Sequence, residues 1–172
     1  MQTLAPISIR QSFGSWRERQ IVSNTLLGAV SASEKVFYYQ LDREHFLSEL
    51  LLNIKNTNGA TSNNLTDIED CVSLIQIIAD GDTIYSRSGK ECRKDYMTYT
   101  GDLPVEVTNQ SAGAVQSAIF PILFGREEVE DDTEYILGTK SFSTLPLAVT
   151  FTFTDHASTG WASSATNAKI DM

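Results

Sequence analysis

Few residues in this chain could do chemistry, and they are scattered. Two histidines, His45 and His156, stand far apart, with no His-x-His pair and no Cys-x-x-Cys. Zinc and iron sites are built from such pairs, so each histidine reads as a loop or strand-end residue rather than a ligand. No Gly-x-Ser-x-Gly elbow is present, and Gly89-Lys90 lacks the upstream glycine of a phosphate-binding loop. Cys71 and Cys92 make no disulfide framework. They read as buried or half-buried thiols, and a bridge would need their Cβ atoms to meet. The acidic run Glu127, Glu128, Glu130, Asp131, Asp132 and Glu134 lacks the fixed oxygen offsets and the glycine of a calcium loop, so it reads as a solvated loop. Nothing singles out two carboxylates as a glycosidase pair. Asn64-Leu65-Thr66 and Asn109-Gln110-Ser111 match a glycosylation sequon, a pattern short enough to arise by chance. The expectation is no enzyme, no cofactor and no metal.

Charge and hydropathy exclude further classes. The chain has 172 residues, 13 Lys and Arg against 22 Asp and Glu, and a net charge of −9. A nucleic-acid binder would show a basic face. Arg10, Arg17 and Arg19, diluted by Glu18, are too few to claim one, so no direct nucleic-acid binding is expected. No apolar run reaches the ~20 residues of a membrane span. The start MQTLAPISIRQSFGSW has no apolar signal region, so synthesis and retention in the cytoplasm are expected. The length suits one domain with its own core.

What the sequence does contain is turns and caps. Thr66-Asp67-Ile68-Glu69 has the form of a capping box, with a hydroxyl to cap free N–H groups and a carboxylate three residues on. Leu74-Ile75-Gln76-Ile77-Ile78 is a β-branched run too short for a good helix. Asp80-Gly81 suits a two-residue hairpin turn whose central residues both need φ > 0, and Thr83-Ile84-Tyr85-Ser86 returns as a strand. Ser88-Gly89-Lys90-Glu91 is a second box, opening a helix that Gly101 closes. The unit predicts two short helices, near 67–73 and 89–99, around a hairpin.

The rest of the chain reads as strands separated by polar connections. Candidate strands lie near 36–41, 46–56, 74–79, 82–87, 115–124, 135–139, 145–154 and 165–171. In the second, Phe46, Leu50, Leu52 and Ile54 share one face if the segment is extended. In the fifth, Pro121 demands a bend, a bulge or an edge. In the seventh, Leu145, Leu147, Val149, Phe151 and Phe153 alternate with Pro146, Ala148, Thr150, Thr152 and Thr154, so one face is in the core. Residues 1–33 are weakly patterned and form either an arm that docks on a neighbour or an edge segment of the barrel. Residues 34–172 form the domain. Eight strands joined by long crossings predict an all-β fold with two short helices, either a β-sandwich or an eight-stranded jelly roll of two packed antiparallel sheets.

The helix–strand–turn–strand–helix unit resembles that of the upright jelly-roll major capsid proteins of tailless, internal-membrane-containing icosahedral viruses. There a strand ends in Asn/Asp-Gly-Asn/Asp and the following helix is entered through Ser-Gly-Glu. Asp80-Gly81-Asp82 matches the first, and Ser88-Gly89-Lys90-Glu91 matches the second with Lys90 interposed. The resemblance covers about Phe46 to Thr154. With room for a single barrel, the chain is similar to the small major capsid protein of Thermus-phage type. The resemblance implies a virion capsid location, self-association, a second and larger major capsid protein as partner, and an internal membrane beneath the shell. Trp16, Ile21, Val22, Leu26 and Leu27 are the candidate self-association residues, because they lack a period and exceed what one barrel is expected to bury. The other reading is a carbohydrate-binding β-sandwich using Tyr38, Tyr39, Trp16 or Trp161.

Overall fold

A computed structural model describes residues 20–21, 23, 25–28, 34–44, 46–58, 67–124, 136–151 and 168–172. In chain order the strands are β1 (Thr25–Gly28), β2 (Lys35–Gln40), β3 (Phe46–Leu47), β4 (Glu49–Thr57), β5 (Val72–Ala79), β6 (Asp82–Arg87), β7 (Glu106–Val107), β8 (Val115–Leu123), β9 (Leu137–Gly138), β10 (Pro146–Phe151) and β11 (Ala168–Asp171). Helix α1 (Ile68–Cys71) precedes β5, helix α2 (Gly89–Thr100) follows β6, and a 3-10 turn (Thr139–Ser141) follows β9.

The strands form a five-stranded sheet in the order β1-β11-β4-β8-β7, a four-stranded sheet in the order β2-β10-β5-β6, and the small pair β3-β9. All pairings are antiparallel. One core cluster joins the two large sheets. Leu50, Leu52 and Ile54 of β4, Phe120 and Ile122 of β8 and Ile170 of β11 meet Ile75 and Ile77 of β5 and Leu147, Val149 and Phe151 of β10. Period-two alternation produces this, since every second residue of each strand points inward.

The expected eight strands in two sheets become eleven strands in three sheets among the described residues. The expected strand over 46–56 divides at Ser48: Phe46 and Leu47 pair with β9 while Glu49 onward pairs with β8. Phe46 is therefore 54% exposed and does not share the buried face of Leu50, Leu52 and Ile54. The expected strand over 135–139 shortens to two residues running into the 3-10 turn. The first helix is a single turn rather than 67–73, because Val72 is already extended and paired with Phe151. In β10, Ala148 is buried along with its core-facing neighbours, despite the expected outward orientation. It is small, and it lies between Tyr38 and Gln76 on the flanking strands. Phe153, with the outer end of that expected strand, lies outside the described residues.

Pro121 lies inside β8, opposite Leu51 of β4. Its carbonyl accepts from the Cys92 thiol of α2. The N and C=O of one strand residue point to the same side, so the prolyl nitrogen also faces away from β4. Strand β7 pairs only with Ala118 and Ser117, so no strand there needs the missing donor.

The β5–β6 turn has Asp80 at φ 51° and Gly81 at φ 97°. Asp80 does more than turn the chain. Its Oδ1 accepts from the backbone N–H groups of Ser143 and Thr144, both at 2.7 Å, and its own N–H donates to Thr144 O. The hairpin tip is thereby fastened to the segment leading into β10. A Cβ on Gly81 would meet nothing within 4 Å, so the cost of a side chain there is purely backbone strain. Gly81→Val is expected to lower stability by about 1–3 kcal/mol, read as a drop in melting temperature. Gly81→Asn, which tolerates positive φ, is expected to lower it less. Equal drops would mean that the left-handed conformation is not what Gly81 supplies.

Candidate functional site

The unit from Asp67 to Gly101 closes the open end of the sandwich between the β6 edge of one sheet and the β8 edge of the other. Helix α2 begins with a full capping box. Ser88 Oγ accepts from Glu91 N at 3.3 Å, and Glu91 Oε2 accepts from Ser88 N at 2.8 Å. The bonds that the Ser88 N–H and hydroxyl donate to Oε2 lower the Glu91 carboxyl from its ordinary value. The helix ends at Gly101, whose φ is 79° and whose N–H donates to Met97 O. Gly89, the first helical residue, is a packing glycine. An added Cβ would lie 2.8 Å from Glu69 O and 2.9 Å from both Phe120 Cε1 and Val72 Cβ.

The box expected at Thr66–Glu69 begins one residue outside the described part of the chain. Asp67 is the N-cap of α1, without a side-chain capping bond, and Thr66 lies outside the described residues. Glu69 Oε2 accepts from Arg93 Nε at 3.1 Å. Among the described residues Arg93 is the buried cation, with 8% of its side chain exposed. Its Nη2 reaches Glu106 Oε2 of β7 at 2.8 Å. Nη1 and Nη2 point at the carbonyls of Ile119 and Pro104. One guanidinium thus ties α1, α2, β7 and β8 together. Burial pushes the Glu106 carboxyl up against the opposing pull of Arg93, as expected where desolvation offsets much of an ion pair's attraction. No sequence pattern pointed to Arg93, since its partners lie 24 residues before it and 13 after it.

Cys71 and Cys92 are both buried and neither is in a disulfide. Burial pushes Cys92 up to about 11, so it stays protonated and donates to Pro121 O at 3.1 Å. Reactive cysteines need the reverse shift. Among the described residues no group of three or more His, Cys, Asp or Glu could hold a metal ion. A shallow cleft of about 180 Å³ lies between β6, α2 and β8, lined by Tyr85, Arg87, Asp95, Tyr96, Tyr99, Pro121 and Leu123. Arg87 and Asp95 pair across it at 2.8 Å, both side chains well exposed.

Of the candidate self-association residues, Ile21 packs partly buried against the core and its N–H donates to Met172 O at 2.7 Å. Leu26 and Leu27 belong to β1, which pairs with β11. Their side chains, with Trp16 and Val22, lie outside the described residues. Tyr38 is 68% exposed while Tyr39, on the opposite face of β2, packs on the core, so the two do not form one platform.

The sequence matches no family model and no curated protein. The fold is similar to solved structures. The crystal structure of the STIV major capsid protein superposes with a TM-score of 0.57 at 13% identity, covering 89% of this chain and 46% of that one. PBCV-1 VP54, fitted into a reconstruction of the virophage Sputnik, gives 0.51 at 15% identity, covering 91% and 43%. The chain thus spans less than half the length of either neighbour, and the likeness is one of fold.

Arg93→Met would keep an apolar stem but leave Glu69 and Glu106 facing one buried site unpaired. Removing one partner of a buried pair costs about 3–5 kcal/mol. Here each carboxylate retains about a quarter of its exposure, so a loss of roughly 2–4 kcal/mol is expected on the same basis. The sign with pH follows. Burial already raises the Glu106 carboxyl against the pull of Arg93, and without the cation that rise is unopposed, so protonation of Glu106 favours the folded form of the variant. The deficit should shrink as pH falls through that raised value, and chemical denaturation at pH 7 and pH 4.5 checks it. A deficit that grows on acidification would mean Arg93 does not neutralise this pair. At the other end of the unit, Ser88→Ala is expected to cost about 1 kcal/mol through the lost cap.

Proposed function

We propose that the chain is a structural subunit of a viral capsid, built on an eight-stranded jelly roll. The strand order carries the reading. In chain order, β1, β2, β4, β5, β6, β8, β10 and β11 distribute into the neighbours β1-β11-β4-β8 on one sheet and β2-β10-β5-β6 on the other. The first strand lies beside the last in one sheet, the second beside the seventh in the other, and most connections cross between sheets. That interleaving is the mark of the double Greek key. We read β7 as an added edge and β3-β9 as a clip at one end. Fold likeness to two viral capsid proteins supports the same reading.

Within this reading the chain is a small major capsid protein of Thermus-phage type, residing in the virion. It self-associates and co-assembles with a larger capsid protein over an internal membrane, and residues 34–172 form its domain. Closed shells or regular sheets are expected by electron microscopy when it is co-expressed with a longer capsid-type reading frame encoded beside it. A second reading, a carbohydrate-binding sandwich, is favoured by the cleft of Tyr85, Tyr96 and Tyr99, whose rings could stack on sugar faces. Absence of any assembly, together with saturable binding on a glycan array lost in Tyr96→Ala, would replace the capsid reading with this one.

A further inference from the structure

The five-stranded sheet turns one face to the core and the other outward, and the outward face carries an apolar strip. On the edge segment Leu103, Val105 and Val107 alternate with the buried Pro104 and with Glu106, which is turned to Arg93. The register extends the strip inward. Val107 lies opposite Ser117, Val105 O accepts from Ile119 N, and Pro121 lies opposite Leu51. Val115 and Ile119 share the Ser117 face of β8. Leu51, Leu103, Val105, Val107 and Val115 are between 43% and 70% exposed.

We infer that this strip is where a second copy of the chain docks, face to face across a twofold axis. The inference rests on the capsid-subunit reading and names a surface for it. Charge argues for the occupant. Two copies at −9 repel one another over most of their surfaces. The strip is uncharged: Glu106 beside it is turned to Arg93, Asp171 is paired with Lys55, and Lys55, opposite Ser117, and Lys169 beside it put cations rather than more carboxylates along its border. An uncharged apolar patch is its own complement under twofold symmetry.

Area argues for the strength of the contact. Burying a Val or Leu fully removes about 60–120 Å² at 25 cal/mol per Å², so six partly exposed side chains offer on the order of 300 Å². A standard interface takes about 800 Å² from each partner, about 450 Å² of it apolar. The strip supplies most of that share, which fits a reversible, concentration-dependent dimer. Strand pairing along the β7 edge is a poorer alternative, since Pro104 has no N–H to donate and its carbonyl faces Arg93.

Sedimentation velocity on the full chain, over a range of concentrations at low and high salt, tests this. The expected result is a dimer whose Kd falls as salt screens the repulsion. Val105→Lys should raise Kd at least tenfold with an unchanged melting temperature, and Val36→Lys, on the other sheet, should not. In a second arm, Val105→Cys should cross-link to itself on oxidation while Val36→Cys does not, the two native thiols being buried. A monomer at every concentration and salt overturns the inference, as does a dimer that Val105→Lys leaves intact. Shells formed with a larger protein while that variant behaves like wild type would overturn this interface and leave the capsid reading standing. Capture of the larger protein by the strip in place of a second copy would overturn the choice of occupant.

Discussion

A single buried guanidinium holds the architecture at its most vulnerable place. A sandwich of two sheets has open flanks where core residues would meet water, and strand edges carry unpaired polar groups. On the β6–β8 flank the chain lays α2 across the gap with its Cys92 face inward. A twelve-residue helix is marginal on its own, so something must fix its position. Arg93 does so by reaching Glu69 on one side and Glu106 on the other, with Ile119 and Pro104 carbonyls around it. Charged residues are almost never buried without partners, and here the partners come from three separate elements. The ion cluster therefore fixes geometry more than it adds net stability.

Local signals in the sequence were legible and non-local ones were not. The hairpin at Asp80-Gly81, the box at Ser88–Glu91 and the glycine stop at Gly101 are read from a few adjacent residues, because the backbone there depends on its neighbours alone. The apolar alternation of Leu147, Val149 and Phe151 belongs to the same class. Where a distant partner decides, the reading failed. Glu69 was read for its capping spacing alone, and nothing near it in the sequence announces its ion pair with the cation twenty-four residues on. Phe46 has the right parity to join Leu50 and Leu52, but pairing with β9 and the break at Ser48 turn it outward. The strand count was low for the same reason. Strands β1 and β7 have no pattern of their own and exist only through their partners, and β3 separates from β4 only because it pairs with β9.

Several residues singled out for one reason turn out to serve two. Asp80 begins a left-handed turn and also holds the backbone N–H groups of Ser143 and Thr144, a segment that Arg43 grips at the Phe142 carbonyl from the other side. Gly89 sits in a capping motif, yet what demands glycine is the approach of Glu69 O and Phe120 rather than the cap. This second role explains why a glycine follows the capping serine at the entrance of a helix, where it is otherwise a poor former. Asn58 behaves similarly at the far end of the five-stranded sheet. It is buried, accepts from Gln116 and donates to the carbonyls of Asn109 and Ser111, supporting the β7–β8 connection from below.

The seam between β1 and β11 has a mechanical consequence. The strands are antiparallel, with Thr25 opposite Ile170, and Ile21 is bonded to Met172 just beyond. Tension applied to residues 20 and 172 in opposite directions would load these hydrogen bonds one after another, as in opening a zipper, instead of all at once in shear. Such a seam yields at low force, from the end inward, while β4 and β8, paired over nine residues, stay closed. A wall built from these domains would bear load far better through contacts on its sheet faces than through tethers at the β1 and β11 ends.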